Sequence, residues 1–176
     1  MPIKIVIIGP ESTGKSTLAA SLADYFDEPW VKEYAREYIE KLNRPYRFDD
    51  LLAIGKGQIT LEEKMEIKAK KYLFCDTDLH VLKIWSQHRF EKTHEWTLDQ
   101  ISKRTYHLYL LTDIDIAWEE DPQREHPDPA MRQYFMHKYM EEINKTGRPC
   151  FIISGSPLNR LEQAVGIIRR NFEEEN

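Results

Sequence analysis

This sequence predicts an α/β protein with three layers around a five-stranded parallel sheet, on three observations. Strand-like and helix-like segments alternate along the whole chain, with no internal repeat and no low-complexity linker. The first apolar run, Ile3-Lys4-Ile5-Val6-Ile7-Ile8, is nearly continuous and β-branched, as a strand buried on both faces requires. That run leads into Gly9-Pro10-Glu11-Ser12-Thr13-Gly14-Lys15-Ser16 and then into residues 17–23, where Leu18 and Leu22 share one helical face. Strand, glycine loop and helix in this order form the phosphate-binding P-loop, G-x-x-x-x-G-K-[ST].

The first strand spans residues 3–8. In the loop, backbone N–H groups from Glu11, Ser12, Thr13, Gly14 and Thr17 are expected to wrap a nucleotide phosphate. Lys15 would reach the β- and γ-phosphates, the Ser16 hydroxyl would ligate Mg²⁺, and the helix N-terminus adds its dipole. A short second strand is expected at 30–32. A long helical stretch runs from 49 to 71, with charged residues at i,i+4 such as Glu62/Glu66 and Lys64/Lys68. The third strand covers 72–75, and helices follow at 79–90 and 97–104. The fourth strand covers 106–111, and a polar, proline-bearing segment occupies 119–129. Residues 130–145 read as a helix with Met131, Tyr134, Phe135, Tyr139, Met140 and Ile143 towards the core. The fifth strand covers 150–153. The last helix carries Leu158, Leu161, Val165, Ile168 and Phe172 along one face.

A length of 176 residues suits one domain, 1–176, with a real core. No apolar run approaches the ~20 residues of a membrane span. Met1-Pro2-Ile3-Lys4 leads straight into the first strand without the apolar stretch of a secretory signal, so a cytoplasmic protein is expected. Cys75 and Cys150 both lie in strand-like runs and read as buried, reduced core residues without metal-ligand spacing. The net charge of −5 and the scattered Lys and Arg lack the basic face of a nucleic-acid binder. Glu173-Glu174-Glu175 reads as a solvated end.

The rest of the site is sought at the carboxyl ends of the strands, where open parallel sheets bind ligands. Phe74-Cys75-Asp76-Thr77-Asp78 is an apolar strand ending in acid, which places Asp76 to hold Mg²⁺ with Ser16. Asp78 lies in reach of a phosphate acceptor, and it equally suits the N-cap of the following helix. Glu33, at the end of the second strand, is a candidate base for the acceptor hydroxyl, with Tyr34 and Arg36 beside it. Arg124 sits in a candidate lid, 119–129, placed to close on the phosphates; Arg132 is a second candidate cation. Ser156 and Pro157 open the last helix in a loop suited to the nucleotide base, with Gly155 allowing close approach and Asn159 and Arg160 at its edge. Tyr34, Tyr38, Trp85 and Trp118 are the aromatics available to stack on a ring.

Taken together, the Pro-Glu-Ser-Thr inside the loop, Glu33-Tyr34-Ala35-Arg36-Glu37 and Asp76-Thr77-Asp78 resemble the ribosylnicotinamide kinase domain of the NadR proteins, over about residues 3 to 170. The resemblance implies the P-loop NTPase fold of nucleoside- and nucleotide-kinase type, for which a strand order of 2-3-1-4-5 is expected. It implies transfer of the ATP γ-phosphate, with Mg²⁺, to the 5′-hydroxyl of nicotinamide riboside. Phosphate binding carries over onto Gly14, Lys15, Ser16 and Thr17, the acidic role onto Asp76 and Asp78, and the acceptor side onto Glu33 and Arg36. Gln58 sits where the family tends to carry Gln, and is expected to meet the acceptor. Two features depart from the family: there is no room for its nucleotidyltransferase domain, and Asp121-Pro122-Gln123-Arg124 stands where Asp-Gly-x-Arg is usual. Kinases of another nucleoside, a nucleotide or a nucleic-acid end, and an accessory ATPase or nucleotide switch, remain as alternatives.

Overall fold

The opening apolar run forms β1 (Ile3–Ile8), the central strand of the sheet. The computed structural model describes residues 1–173, so Glu174 and Glu175 of the acidic end lie outside the described residues. The elements that follow are α1 (Lys15–Phe26), β2 (Trp30–Val31), α2 (Tyr34–Glu40), α3 (Phe48–Glu66) and β3 (Tyr72–Asp76). Then come α4 (Leu79–Phe90), α5 (Glu95–Lys103), β4 (Leu108–Thr112), α6 (Pro129–Asn144), β5 (Cys150–Ile153) and α7 (Pro157–Phe172). The sheet order is β2-β3-β1-β4-β5 and every pairing is parallel, as expected from the sequence.

Strand alternation divides the core into two layers. Ile5, Ile7, Tyr72, Phe74, Leu108 and Leu110 face α1 and α7. Val6, Ile8, Leu73, Cys75, Tyr109 and Leu111 face α4 and α6. A third cluster, from Leu51, Ile54, Leu79 and Leu82, joins α2, α3, α4 and α5 outside the β2 side of the sheet. Among the described residues no helix is long and apolar enough to cross a membrane.

Several local expectations are corrected. The helix expected to reach residue 71 ends at Glu66, because the Glu28 carboxylate accepts the N–H groups of Lys70 (2.9 Å), Lys71 (2.6 Å) and Tyr72 (3.2 Å) and draws that backbone towards the sheet. Strand four begins at Leu108 rather than 106. Tyr106 is apolar enough to read as strand, yet its hydroxyl is held 2.8 Å from the buried Glu62. The like-charged Glu62 and Glu66 are reconciled by Lys4, whose ammonium lies 3.0 and 2.7 Å from them. Tyr134 on α6 and Leu158 on α7 face outward, while Met136 takes an inner position. Cys75 is buried as expected, but Cys150, at the start of the edge strand β5, is only half-buried.

The third cluster fixes the site end of β2. Gly57 in α3 leaves room for the Tyr34 ring, and a Cβ there would lie 2.1 Å from it. Gly57→Ala is therefore expected to destabilise the fold by about 1–3 kcal/mol, the usual range for overpacking, read from the denaturant midpoint.

Candidate active site

The loop after β1 is shaped by close approach. Gly9 has φ 150, and a Cβ on it would meet the Thr112 hydroxyl at 2.5 Å. Gly14 has φ 76 and caps α1 in the left-handed region, which favours glycine. The buried Thr13 hydroxyl donates to the Pro10 carbonyl (2.7 Å) and bonds Thr112 (2.7 Å), tying the loop to the end of β4. Lys15 Nζ donates to the same carbonyl at 2.8 Å, across the loop. The N–H groups of residues 13 to 17 meet no acceptor among the described residues, as the first turn of a helix dictates.

Asp76 ends β3 beside this loop. Ser16 Oγ donates to its Oδ2 at 2.5 Å, while Oδ1 is buried with no partner. Burial, together with the charge of Glu33, pushes the Asp76 carboxyl up to about 6, against Lys15, Ser16 and Arg36. An orphaned carboxylate oxygen next to a hydroxyl is a hard oxygen donor pair, which fits Mg²⁺.

Asp78 is a correction. Thr77 turns the chain with φ 72, and Asp78 goes under the sheet instead of towards the loop. Its side chain is fully buried; it caps α4 through the His80 N–H (2.9 Å) and also meets His80 Nδ1 (2.7 Å) and the Tyr109 hydroxyl (3.1 Å). The capping alternative is the one realised, and every acceptor site on Asp78 is turned away from the cavity.

A cavity of about 490 Å³ opens between the loop and the β2 side of the molecule. One end is lined by residues 11–18; the other has Glu33, Arg36 and an apolar wall that includes Tyr46, Leu51, Ile54, Leu82, Trp85 and Tyr139. Glu33 is the N-cap position of α2 but its carboxylate makes no capping bond, so it stays free to face the cavity. Tyr34 and Gln58, expected at the acceptor, do not line it. The Tyr34 ring lies on Gly57, and the buried Gln58 amide accepts the Tyr34 N–H (2.7 Å) and donates to the Lys32 carbonyl (3.3 Å). Gln58 thus holds the two peptides that flank Glu33.

The segment between β4 and α6 crosses over the loop. Arg124 Nη1 donates to Ser12 Oγ (3.0 Å) and to the Glu119 carbonyl (2.7 Å), and the Glu119 N–H donates to Ser12 Oγ (2.9 Å). The Glu11 carboxylate accepts the N–H groups of Glu125 (3.0 Å) and His126 (3.2 Å); desolvation nonetheless raises its pKa. Arg36 reaches this segment through an ion pair with Asp121, so it faces residues 119–129 as well as the cavity.

On the far side, Pro157 lines the cavity, but Ser156 is exposed and only caps α7, accepting the Asn159 N–H at 3.3 Å. Arg160 and Arg132 are buried braces rather than free cations, and Asn159 packs on Gly155. Trp118 lies under Arg124 and Arg132, and the Tyr38 hydroxyl bonds Asp50 (2.9 Å). Of the four aromatics, Trp85 alone lines the cavity. Tyr46, Tyr139 and Arg44 were missed. Tyr139 reads as helix core, and Arg44-Pro45-Tyr46 as an ordinary loop whose position depends on the bidentate hold of Asp50 on Arg44 (2.7 and 3.0 Å).

The loop after β1, the acid after β3 and the strand order define a P-loop nucleotide-binding fold of nucleoside- and nucleotide-kinase type. The family described as AAA domain matches residues 4–160, and the chain belongs to it. The trifunctional NAD biosynthesis/regulator protein NadR of Salmonella typhimurium is 26% identical over 148 residues, covering 80% of this chain and 35% of that protein. The chain therefore spans about a third of that relative. Two NadR crystal structures superpose over 99% of this chain, one in complex with NAD and AMP-PNP (TM-score 0.81, 22% identity, 51% of that chain) and one with NR (0.78, 21%, 50%). A thymidylate kinase from Ehrlichia chaffeensis shares the fold over 95% of this chain and 98% of its own (TM-score 0.64, 14% identity).

With its carboxyl raised from 3.8 to about 6, Asp76 contributes stability that is complete below pH 3.8 and lost as pH rises through 6. Asp76→Asn is expected to raise the stability of the metal-free protein by about 3 kcal/mol at pH 8 and to leave it nearly unchanged at pH 4, measured by thermal unfolding at both.

Proposed function

We propose that the chain is an ATP-dependent nucleoside kinase, working as one domain with residues 119–129 as its lid. The observation that carries this reading is the single cavity that joins the free N–H groups of the loop to a carboxylate, Glu33, in front of an apolar and aromatic wall. Such a cavity offers a phosphoryl donor and a ring-bearing acceptor to each other across a short gap.

In this mechanism the loop N–H groups and Lys15 bind the phosphates of ATP. Ser16 and Asp76 would hold Mg²⁺, which would supply charge neutralisation on the phosphates. Arg124 closes with the lid and stabilises the transferred group, giving up its bond to Ser12 for one to phosphate. Glu33 orients the acceptor hydroxyl and takes its proton, while Arg36 links it to the lid through Asp121. Asp78 has no part in proton transfer, because its carboxylate is enclosed beneath the sheet. Pro157 and the β5–α7 loop border the nucleotide base.

Nicotinamide riboside is the acceptor we place first. Support comes from the loop and strand-end residues that resemble NadR, and from the likeness to a NadR structure solved with NR. The test is ATP consumption with nicotinamide riboside, common nucleosides, nucleoside monophosphates and oligonucleotides, beside Lys15→Ala. Turnover stimulated by nicotinamide riboside and abolished in Lys15→Ala is expected. Turnover indifferent to every acceptor would leave a bare ATPase and overturn the kinase reading. Glu33→Gln is expected to lower kcat by about 10²–10⁴-fold with ATP affinity retained, measured by steady-state kinetics and nucleotide titration.

A further inference from the structure

Arg160, expected from the sequence at the edge of the nucleotide base, lies under the loop at 2% exposure, unlike Arg169 and Arg170 in the last turn of α7. Its guanidinium spends its donors on four groups. Nη1 donates to the Thr13 carbonyl (2.8 Å), Nε to the Gly155 carbonyl (2.8 Å), and Nη2 to the Asp113 carbonyl (3.2 Å) and the Asp115 carboxylate. Asp115 in turn accepts the Gly155 N–H at 2.5 Å. One side chain thus ties together the loop, the start of the β4–α6 segment and the β5–α7 loop.

The bond to Thr13 has a consequence set by peptide geometry. A trans peptide is planar, and its N–H points opposite to its C=O. No peptide bond among the described residues is cis. Holding the Thr13 carbonyl outward on Arg160 therefore aims the Gly14 N–H the other way, away from the guanidinium. Arg132, buried on α6, does the same one peptide earlier: its Nη2 donates to the Ser12 carbonyl (3.3 Å), which sets the Thr13 N–H, and its Nη1 anchors on the Ile116 carbonyl (3.1 Å). The Pro10 carbonyl is held likewise by Thr13 Oγ1 and Lys15 Nζ. Three of the loop's carbonyls are held by side chains, two of them by arginines from different helices.

We infer that Arg160, seconded by Arg132, is a positioning residue of the phosphate site: although it borders the cavity, it acts through the loop carbonyls it holds, setting the orientation of the peptides that donate to a bound polyphosphate. The inference rests on reading residues 9–16 as the site for the phosphates of ATP. It assigns the two arginines to preorganisation, so that the loop need not rotate its peptides when the anion arrives. Because Gly155 and the β4–α6 segment hang from the same guanidinium, the base loop and the lid inherit their register to the phosphates from it.

The test uses the double variant Arg160→Met/Asp115→Asn, which removes both charges of the pair, and reads pyrophosphate and AMP-PNP binding by titration calorimetry with steady-state kinetics alongside. The Kd for pyrophosphate and the KM for ATP are expected to rise about ten- to a hundredfold, the weight of a hydrogen bond to a charged group. The KM for the acceptor should stay within about twofold, and unfolding should remain cooperative. A role in general stability alone would instead weaken ATP and acceptor together, and that outcome overturns the inference. Wild-type pyrophosphate affinity in the folded variant overturns it as well. Arg160→Lys carries the test if the double variant does not fold: a single ammonium cannot reach four acceptors, so several-fold weaker pyrophosphate binding is expected, and unchanged binding sinks the idea. Absence of pyrophosphate binding by the wild-type protein would overturn the phosphate-site reading itself, whereas an untouched inference with no acceptor turnover would remove only the kinase.

Discussion

A loop that holds an anion with its own backbone must turn its carbonyls out and its N–H groups in, and much of this fold serves that requirement. β1 supplies the rigid approach, since four of its residues are wholly buried between two helical layers. Gly9 lets the chain pass against Thr112 at a distance no Cβ allows. Thr13, Lys15, Arg132 and Arg160 take up the carbonyls of Pro10, Ser12 and Thr13, drawing on α1, α6 and α7. The arrangement is preorganised in the protein itself, which is where electrostatic stabilisation of charge costs least at the moment of reaction.

The strongest local conflict lies next to that loop. Asp76 is buried with one oxygen unpaired, and Glu33 sits near enough to disfavour its ionised form further. Folding alone does not reward such a group. A cation held between Ser16 and Asp76 would relieve this conflict, which otherwise weakens the metal-free fold. Asp78, two residues later, shows the contrasting solution: a buried carboxylate satisfied by a helix N-terminus, a histidine and a tyrosine.

The Glu33 end of the cavity is built differently, by side chains of α2 and α3 and the turn between them. Tyr34 fits onto Gly57, Gln58 clamps the peptides on both sides of Glu33, and Asp50, bonded to Tyr38, holds Arg44 at the cavity. These contacts bring α2 and α3, remote from the loop in sequence, to face it. The β4–α6 segment then bridges the two halves through Arg36–Asp121 on one side and Ser12 and Glu11 on the other.

The sequence by itself determined the phosphate end. The β-branched run, the glycine loop and the acid after the third strand are local signals, because backbone conformation within a few residues is enough to specify them; the alternation of elements carried the parallel α/β class, and the strand order came with the family resemblance. What only the tertiary structure decided is which polar side chains meet the cavity. Asp78 reads equally as an acceptor contact or a helix N-cap, and the turn at Thr77 decides for the cap, away from the environment of Asp76. Gln58 and Tyr34 read as ligand contacts and prove to be supports for Glu33. Arg160 reads as an edge to the nucleotide base and proves to hold the loop across 147 positions of chain. Such roles depend on long-range contacts between helices packed on opposite faces of the sheet, and no periodicity or spacing along the chain records them.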